Sequence, residues 1–388
     1  MGARSCPLTV ILRARFRRGE SAFPSCNARL RGTIALISSA VQILQDIPLA
    51  PYTTLKVGGP AGYFFEAQSE AEILEALAYA REHSLAVFVL GGGSNLVVSD
   101  SGWPGLVLKI SITGIETAEK NGKALFTAGA GEDWDLLVAR SVKQNCAGIE
   151  CMSGIPGTVG GTPVQNVGAY GQEVAETITG VRAIDTTSGD VREMSNSDCG
   201  FSYRTSIFNT SQKGRYIVTR VSYALSPNRP PHVEYADLKR YFSSSSTTPT
   251  LLQVREAVRE IRASKAMLIT PNDENSRSAG SFFKNPIILP VEYDRIAALP
   301  QCRDQTPPKY PAPEGHVKIS AAWLVERAGF HKGFGNGRVG ISSKHTLAIV
   351  NRGGATAADI VQLKNIVQEG VFKVFGVHLH PEPVFVGF

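Results

Sequence analysis

The stretch LAVFVLGGGSNLVVS, Leu85–Ser99, decides how this chain is to be read. Leu85–Leu90 is an unbroken, β-branched apolar run of strand length, so it reads as a buried strand. Three glycines follow. Consecutive glycines let a backbone turn through positive φ and present bare N–H groups to an anion. In a Rossmann fingerprint such a loop opens a helix, whose N-terminus receives the pyrophosphate. Here the loop runs into Leu96–Ser99, a second strand. It is either a tight strand-to-strand turn or a phosphate-binding nest without its helix, and the pattern argues against a Rossmann domain.

Working outward, Tyr63–Glu66 reads as a strand, and Ser69 with Glu72 as a capping box. Ile73, Leu74, Leu77 and Ala80 form the apolar stripe of the helix between them and Leu85–Leu90, which makes a β-α-β unit. Strands are expected at Gly105–Ile110 and Ala124–Ala130, and a helix at Glu132–Gln144. Val181–Met194 reads as a hairpin around Ser188-Gly189-Asp190, and Tyr216–Leu225 as a further strand. The Ser/Thr tract Ser243–Thr248, closed by Pro249, marks a break. Beyond it, Val254, Val258 and Ile261 share one face of a helix over Leu251–Lys265, and a Pro-rich loop spans Pro307–Pro313. Helices follow at Ala321–Ala328 and at Thr356–Val374, the latter opened by a Thr356/Asp359 cap pair, before a last strand at Val384–Val386. This is an α+β order in two parts, split near residues 228–250.

The 388 residues are 43% hydrophobic and 19% charged, the balance of an ordinary globular protein. The longest apolar run, Ile34–Leu44, is broken by serines and falls short of the roughly 18 residues a membrane span needs. The formal charge of +6 lies wholly in residues 1–31, which hold seven arginines and one acid. The rest of the chain is balanced, so the charge is no argument for a nucleic-acid groove. Residues 1–45 are expected to be a flexible extension, and removing residues 1–31 is expected to change neither cofactor content nor activity. The cysteines Cys6, Cys26, Cys146, Cys151, Cys199 and Cys302 show no CxxC spacing and read as reduced thiols of a cytoplasmic protein. No metal-ligand pattern is present in the sequence.

Four further segments carry candidate chemistry. GIPGTVGGTPVQNVGAYG, Gly154–Gly171, is dense in glycine yet holds Ile155, Pro156, Val159 and Val164. That combination suits backbone laid against a flat or charged ligand, with Asn166 offering the amide donors and acceptor that a flavin ring edge needs. FSYRTSIF, Phe201–Phe208, sets Tyr203 and Arg204 between apolar anchors, although a surface ion pair is an arginine's usual fate. SAGSFFKNP, Ser278–Pro286, places Ser281 where it is a positioned proton donor or an ordinary turn serine; it is not a G-x-S-x-G elbow. HPEPVFVG, His380–Gly387, holds Glu382 between two prolines.

Taken in order, these segments resemble the UDP-N-acetylenolpyruvoylglucosamine reductase family, from about Tyr52 to Phe388 and including TTLKVGGPA, Thr53–Ala61. GSFFKNP and YRTSIF are the family-specific parts; GGGSN is shared with a wider flavin-binding superfamily. The resemblance implies a vanillyl-alcohol-oxidase (PCMH-type) FAD-binding domain over residues 46–228. It implies a substrate-binding α+β domain over 229–388, whose last strand returns to the FAD domain. It implies non-covalent FAD held by Leu90, Gly91, Gly92, Gly93, Ser94, Asn95 and Leu96, and by Gly157, Thr158, Gly160, Gly161, Asn166, Val167, Gly168 and Val218. NADPH would be the co-substrate. Arg204 and Glu382 would stabilise a developing enolate and Ser281 would protonate it. Tyr203, Lys265 and Asn285 would contact the nucleotide-sugar substrate, and Tyr235 in VEYADL would match a mobile-loop tyrosine. A monomer with no nucleic-acid or membrane partner is expected. Residues 1–45 have no counterpart in the family pattern, and the Pro307–Pro313 loop and the Ile269–Arg277 spacer depart from its shortest members.

Two other readings stay open on residues alone. A flavin oxidase of the same superfamily would reoxidise rapidly in air, and a non-catalytic nucleotide-sugar binder would be colourless.

Overall fold

A four-stranded sheet and a six-stranded sheet, with smaller two- and three-stranded ones and the helices between them, are built from short elements whose caps and apolar faces are local to the sequence. The computed structural model describes residues 42–388 except Asn336. The basic segment, with Cys6 and Cys26, lies outside the described residues. Leu44–Pro48 is already a strand, antiparallel to Pro60–Ala67, so Leu44 and Gln45, expected in the extension, belong to the first sheet.

The first sheet runs in the order Leu44–Pro48, Pro60–Ala67, Trp103–Ile110, Val87–Leu90, with the last three strands mutually parallel. The expected β-α-β unit is thus interleaved: Trp103–Ile110 lies between its two strands. Helix α1, Glu70–Glu82, starts where Ser69 Oγ accepts from Glu72 N at 3.2 Å. The reciprocal bond of a capping box goes elsewhere, since the Glu72 carboxylate accepts from Gln68 N at 2.7 Å. Ile73, Ala76, Leu77 and Ala80 are buried, whereas Leu74 points outward. Leu74 follows Ile73 by about 100° of helical turn, which carries it off the stripe.

The second sheet is antiparallel: Val191–Ser195, Ile178–Asp185, Tyr216–Pro227, Lys123–Gly129, Ile115–Lys120. Helix α2, Trp134–Lys143, closes it. Asp133 caps it by accepting from Leu136 N, and Trp134 is buried with Nε1 donating to Met152 O at 3.1 Å. Strand Ile115–Lys120 is exposed at nearly every position and so lacks the alternation that marks strands in sequence.

Helices α3, Ala236–Tyr241, and α4, Leu251–Ser264, follow the expected break in sequence but pack back onto the first half. Leu238, Val254, Ala257 and Val258 bury Cys151, and Arg255 and Arg259 both pair with Asp135 of α2.

The remaining chain holds α5, Pro290–Ala297, α6, Ala321–Arg327, and α7, Ala357–Phe375, around a core that also takes in Leu55, Val57 and Val97. The Pro-rich loop is not purely irregular: Lys309–Pro311 is an edge strand on Val317–Ile319, where proline is tolerated. Thr356 and Asp359 form the expected reciprocal cap of α7, and Asp100 adds two more bonds there, from Ala357 N and Ala358 N. Val384–Val386 pairs in parallel with Leu96–Val98, the strand that leaves the triple-glycine turn. Among the described residues no helix is long and apolar enough to cross a membrane. Cys146, Cys151, Cys199 and Cys302 are buried free thiols.

Candidate active site

The two glycine-rich segments meet. A Cβ on Gly92 would lie 2.6 Å from Gly157 Cα, so the loops approach backbone to backbone. Gly93 has φ +65°, and a Cβ there would run into the carbonyl of Tyr52. Thr54 seals the arrangement: its N donates to Gly93 O at 3.1 Å, and its hydroxyl donates to Ser278 O at 2.6 Å. Leu90 is buried against Val98 and Val386, so only its backbone is offered to a ligand. The second loop is fixed from below. Trp134 N donates to Gly157 O, Val159 N to Glu132 O and Gly160 N to Ala130 O, and Thr158 bridges Asp133. Gly161 borders open space. Val218 is buried in the long strand whose Thr219 carbonyl accepts from Ala130 N. The result is a cradle of backbone with few side chains, suited to an extended anionic cofactor.

Asn166 departs from expectation. Its Nδ2 donates to Glu173 Oε2 (2.8 Å) and to Ser202 O (3.0 Å), and its Oδ1 accepts from Ala175 N (3.1 Å). It is buried, so its amide braces the loop and does not meet a flavin edge. The sequence offered an amide beside glycines; only the fold shows which groups already hold it.

The reaction face grows out of this cradle. Arg204 sits at φ +55° in a two-residue turn closed by reciprocal bonds between Ser202 and Thr205. Its Nη2 donates to Gly168 O at 2.8 Å and its Nη1 to Asn166 O at 3.4 Å, which aims the guanidinium. Nε lies 3.2 Å from Glu382 Oε1, with both side chains about four-fifths buried. Glu382 is held by its backbone: its N donates to Phe282 O, and its O accepts from Asn95 Nδ2 at 3.2 Å. Lys284 N donates to His380 O, and Phe283 bridges Pro381. Ser281, half-buried, lies in the bend directly after Gly280 at φ +73°, one residue before Phe282, whose carbonyl takes the Glu382 N–H. Burial pushes the Glu382 carboxyl up, while Arg204 and Lys284 oppose that rise.

Tyr203, whose hydroxyl is raised chiefly by burial, bonds the backbone of Asn285 and lies 4.4 Å beneath Lys318 Nζ. Asn285 Oδ1 accepts from Ala321 N and so caps α6. Lys265, at the end of α4, pairs with Asp237 at 2.7 Å and stands 5.9 Å over the Tyr170 ring. Tyr235, the residue before α3, meets Tyr170 edge-on with centroids 5.4 Å apart, and burial, with the Asp237 carboxylate adding to it, raises its hydroxyl.

Arg204 with Glu382, Tyr203 with Asn285, and Lys265 with Tyr235 by way of Tyr170 are thus brought together. Sequence reasoning missed Tyr170, Tyr310, Lys318 and His345. Tyr310 and Lys318 are cross-strand partners, a pairing that only the edge strand in the Pro-rich loop creates. His345 Nδ1 accepts from Leu347 N, and burial, reinforced by Lys265, Lys332 and Arg262, pushes the ring down to about 4, so it is neutral near pH 7. A lone histidine in a strand-rich segment carries no signal of that.

Residues 271–386 match the family described as UDP-N-acetylenolpyruvoylglucosamine reductase, C-terminal domain, and residues 61–195 match a family described as FAD binding domain. The UDP-N-acetylenolpyruvoylglucosamine reductase of Thermobifida fusca is 44% identical over 88% of this chain and 98% of its own length. That of Mycobacterium tuberculosis is 42% identical over 92% of this chain and 99% of its own length. The crystal structure of UDP-N-acetylenolpyruvylglucosamine reductase from Thermus caldophilus superposes with a TM-score of 0.60 at 26% identity, over 89% of this chain and 98% of that one.

Proposed function

The chain belongs to the UDP-N-acetylenolpyruvoylglucosamine reductase family, and from that premise we propose how its residues divide the work of reducing an enolpyruvyl ether on a nucleotide sugar to UDP-N-acetylmuramate. The backbone of residues 90–96 and 157–168 would hold FAD non-covalently, since side chains there would fill the space between the loops. When bound there, FAD would supply hydride, drawn from NADPH, for the substrate's vinyl carbon.

The chain's own residues manage charge and the proton. As hydride adds to the vinyl carbon, negative charge grows on the neighbouring carbon and its carboxylate. Arg204, fixed by two backbone carbonyls, faces that charge without needing to reorganise. Glu382, on the same guanidinium, keeps Arg204 oriented and positions the carboxylate end. Ser281 gives its proton to the carbon, which completes addition of hydride and proton across the double bond. Tyr203 and Asn285 would line the substrate's path, while Lys265 and Tyr235 would meet its anionic portion.

The observation that carries this reading is the join between cradle and reaction face. Arg204 hangs from Asn166 and Gly168 of one glycine loop, and Glu382 from Asn95 of the other. Residues 46–228 would form the FAD-binding part and 229–388 the substrate part, in a cytoplasmic monomer without nucleic-acid or membrane partners. Stopped-flow absorbance tests the chemistry. NADPH should bleach the bound flavin, and the enolpyruvyl substrate should restore its colour far faster than air does. Rapid recovery in air alone would assign the chain to the oxidases.

A further inference from the structure

Lys265 is engaged before any substrate arrives. Its Nζ is 2.7 Å from Asp237 Oδ2, with the two side chains 39% and 25% exposed. The lysine is anchored. It caps α4, Ala266 turns the chain at φ +51°, and Met267 N returns to Arg262 O at 2.8 Å. Arg262 is itself buried, donating to Gly154 O and Met267 O. Asp237 is on a weaker support, the first turn of the six-residue α3, which is tied to the body through Leu238. Around them the field is positive: Lys265, Arg262 and Lys332 all bear on His345, which is neutral.

We propose that Asp237 is a positioning residue which occupies Lys265 in the unliganded enzyme and competes there with the anionic portion of the nucleotide-sugar substrate, so that binding requires exchange of one carboxylate for another anion. The inference rests on Lys265 meeting that portion, as read above. The exchange has a ready acceptor: Arg240, one turn along α3, already lies 3.8 Å from Asp237 Oδ1 and can keep the displaced carboxylate paired. A doubly charged ligand outcompetes a single carboxylate for an ammonium in a positive field. Asp237 thereby weakens ligand binding, and it also links Lys265 to the helix preceded by Tyr235.

The test is calorimetric titration of FAD-loaded enzyme with uridine diphosphate, using wild type, Asp237→Asn, Lys265→Met and the double variant. FAD content serves as the check on folding. Asp237→Asn should tighten binding by about two- to five-fold at low salt, the range of a part-exposed ion pair, and the gain should shrink at high salt. In turnover the same variant should lower KM with kcat unchanged. In the Lys265→Met background, Asp237→Asn should change nothing. If Asp237→Asn leaves affinity unchanged or weakens it, or if its gain survives without Lys265, the competition is refuted. Lys265→Met binding like the wild type would instead overturn the placement of Lys265, and the proposal with it. Should the Asn variant lose FAD, Asp237→Ser removes the same charge and carries the same expectations.

Discussion

The cofactor cradle and the reaction face are built in opposite ways. The cradle is a place where side chains are forbidden: Gly92 and Gly157 touch backbone to backbone, and Gly93 has no room for a Cβ. The reaction face is made of charged side chains, Arg204, Glu382 and Lys284, from three distant stretches of chain. The first should fail through shape and the second through charge. Mutations that separate FAD retention from substrate-dependent turnover therefore test whether the division is real.

The largest separation is expected at Ser281. Ser281→Ala keeps the glycine loops intact, so bleaching by NADPH should stay near the wild-type rate. Substrate-dependent recovery should fall about 10³-fold, within the range for loss of a positioned proton donor. Equal slowing of both steps would show that the serine braces the fold and does not supply the proton.

Gly93→Val should do the reverse. Valine at φ +65° is strained and its side chain meets the Tyr52 carbonyl, so FAD binding should weaken by about ten- to a hundred-fold. Measured flavin content after dialysis reports it directly. Enzyme resaturated with FAD should recover much of its substrate-dependent step, because the Arg204–Glu382 pair does not rest on Gly93. A variant that keeps FAD but loses only the second step would erase the distinction between the two regions.

This contrast also explains what the sequence disclosed. The cradle was legible because glycine is rare where ordinary structure is wanted, and two glycine-dense loops with embedded apolar residues stand out in a single chain. The caps at Ser69 and Thr356 and the final strand were legible for a similar reason: their signals lie within a few residues. The reaction face was not readable from any one stretch. Arg204, Ser281 and Glu382 are ordinary residues locally, and the family resemblance, not spacing, singled them out. Asn166 shows the limit of local reading even inside the cradle, because its amide is claimed by Glu173, Ser202 and Ala175. Strand Ile115–Lys120 and the edge strand Lys309–Pro311 were invisible because one is exposed along nearly its whole length and the other carries a proline.

Charge on the reaction face can be altered without touching the cradle. Burial raises Glu382, and Lys284 is one of two cations holding it down. Lys284→Met removes that opposition, so the carboxyl should rise further and protonate at higher pH. With Glu382 acting as a carboxylate, the acid limb of the recovery rate should shift to higher pH, while FAD content and bleaching by NADPH stay as they were. Lys284→Arg should restore the wild-type profile. An acid limb that does not move in Lys284→Met would remove Lys284 from the electrostatics of the site.

The smallest effect belongs to the seam between the regions. Asp100 follows the strand leaving the triple-glycine turn, and its two oxygens accept from Ala357 N and Ala358 N at the start of α7. Thr356 already caps this helix, so Asp100 is a second cap reaching from the other half of the molecule. Asp100→Ala should cost about 1 kcal/mol of stability, the usual value of a cap, and should do so with FAD bound. Asp100→Asn keeps one acceptor oxygen and should lose less. The helix ends far along the chain from the glycine turn, yet the strand that follows it, Val384–Val386, starts two residues after Glu382 and pairs with Leu96–Val98. A loosened seam should therefore appear first as faster amide exchange in those two strands, before any loss of flavin. Exchange that rises in the cradle instead would mean that the two regions share one cooperative unit, and that shape and charge fail together.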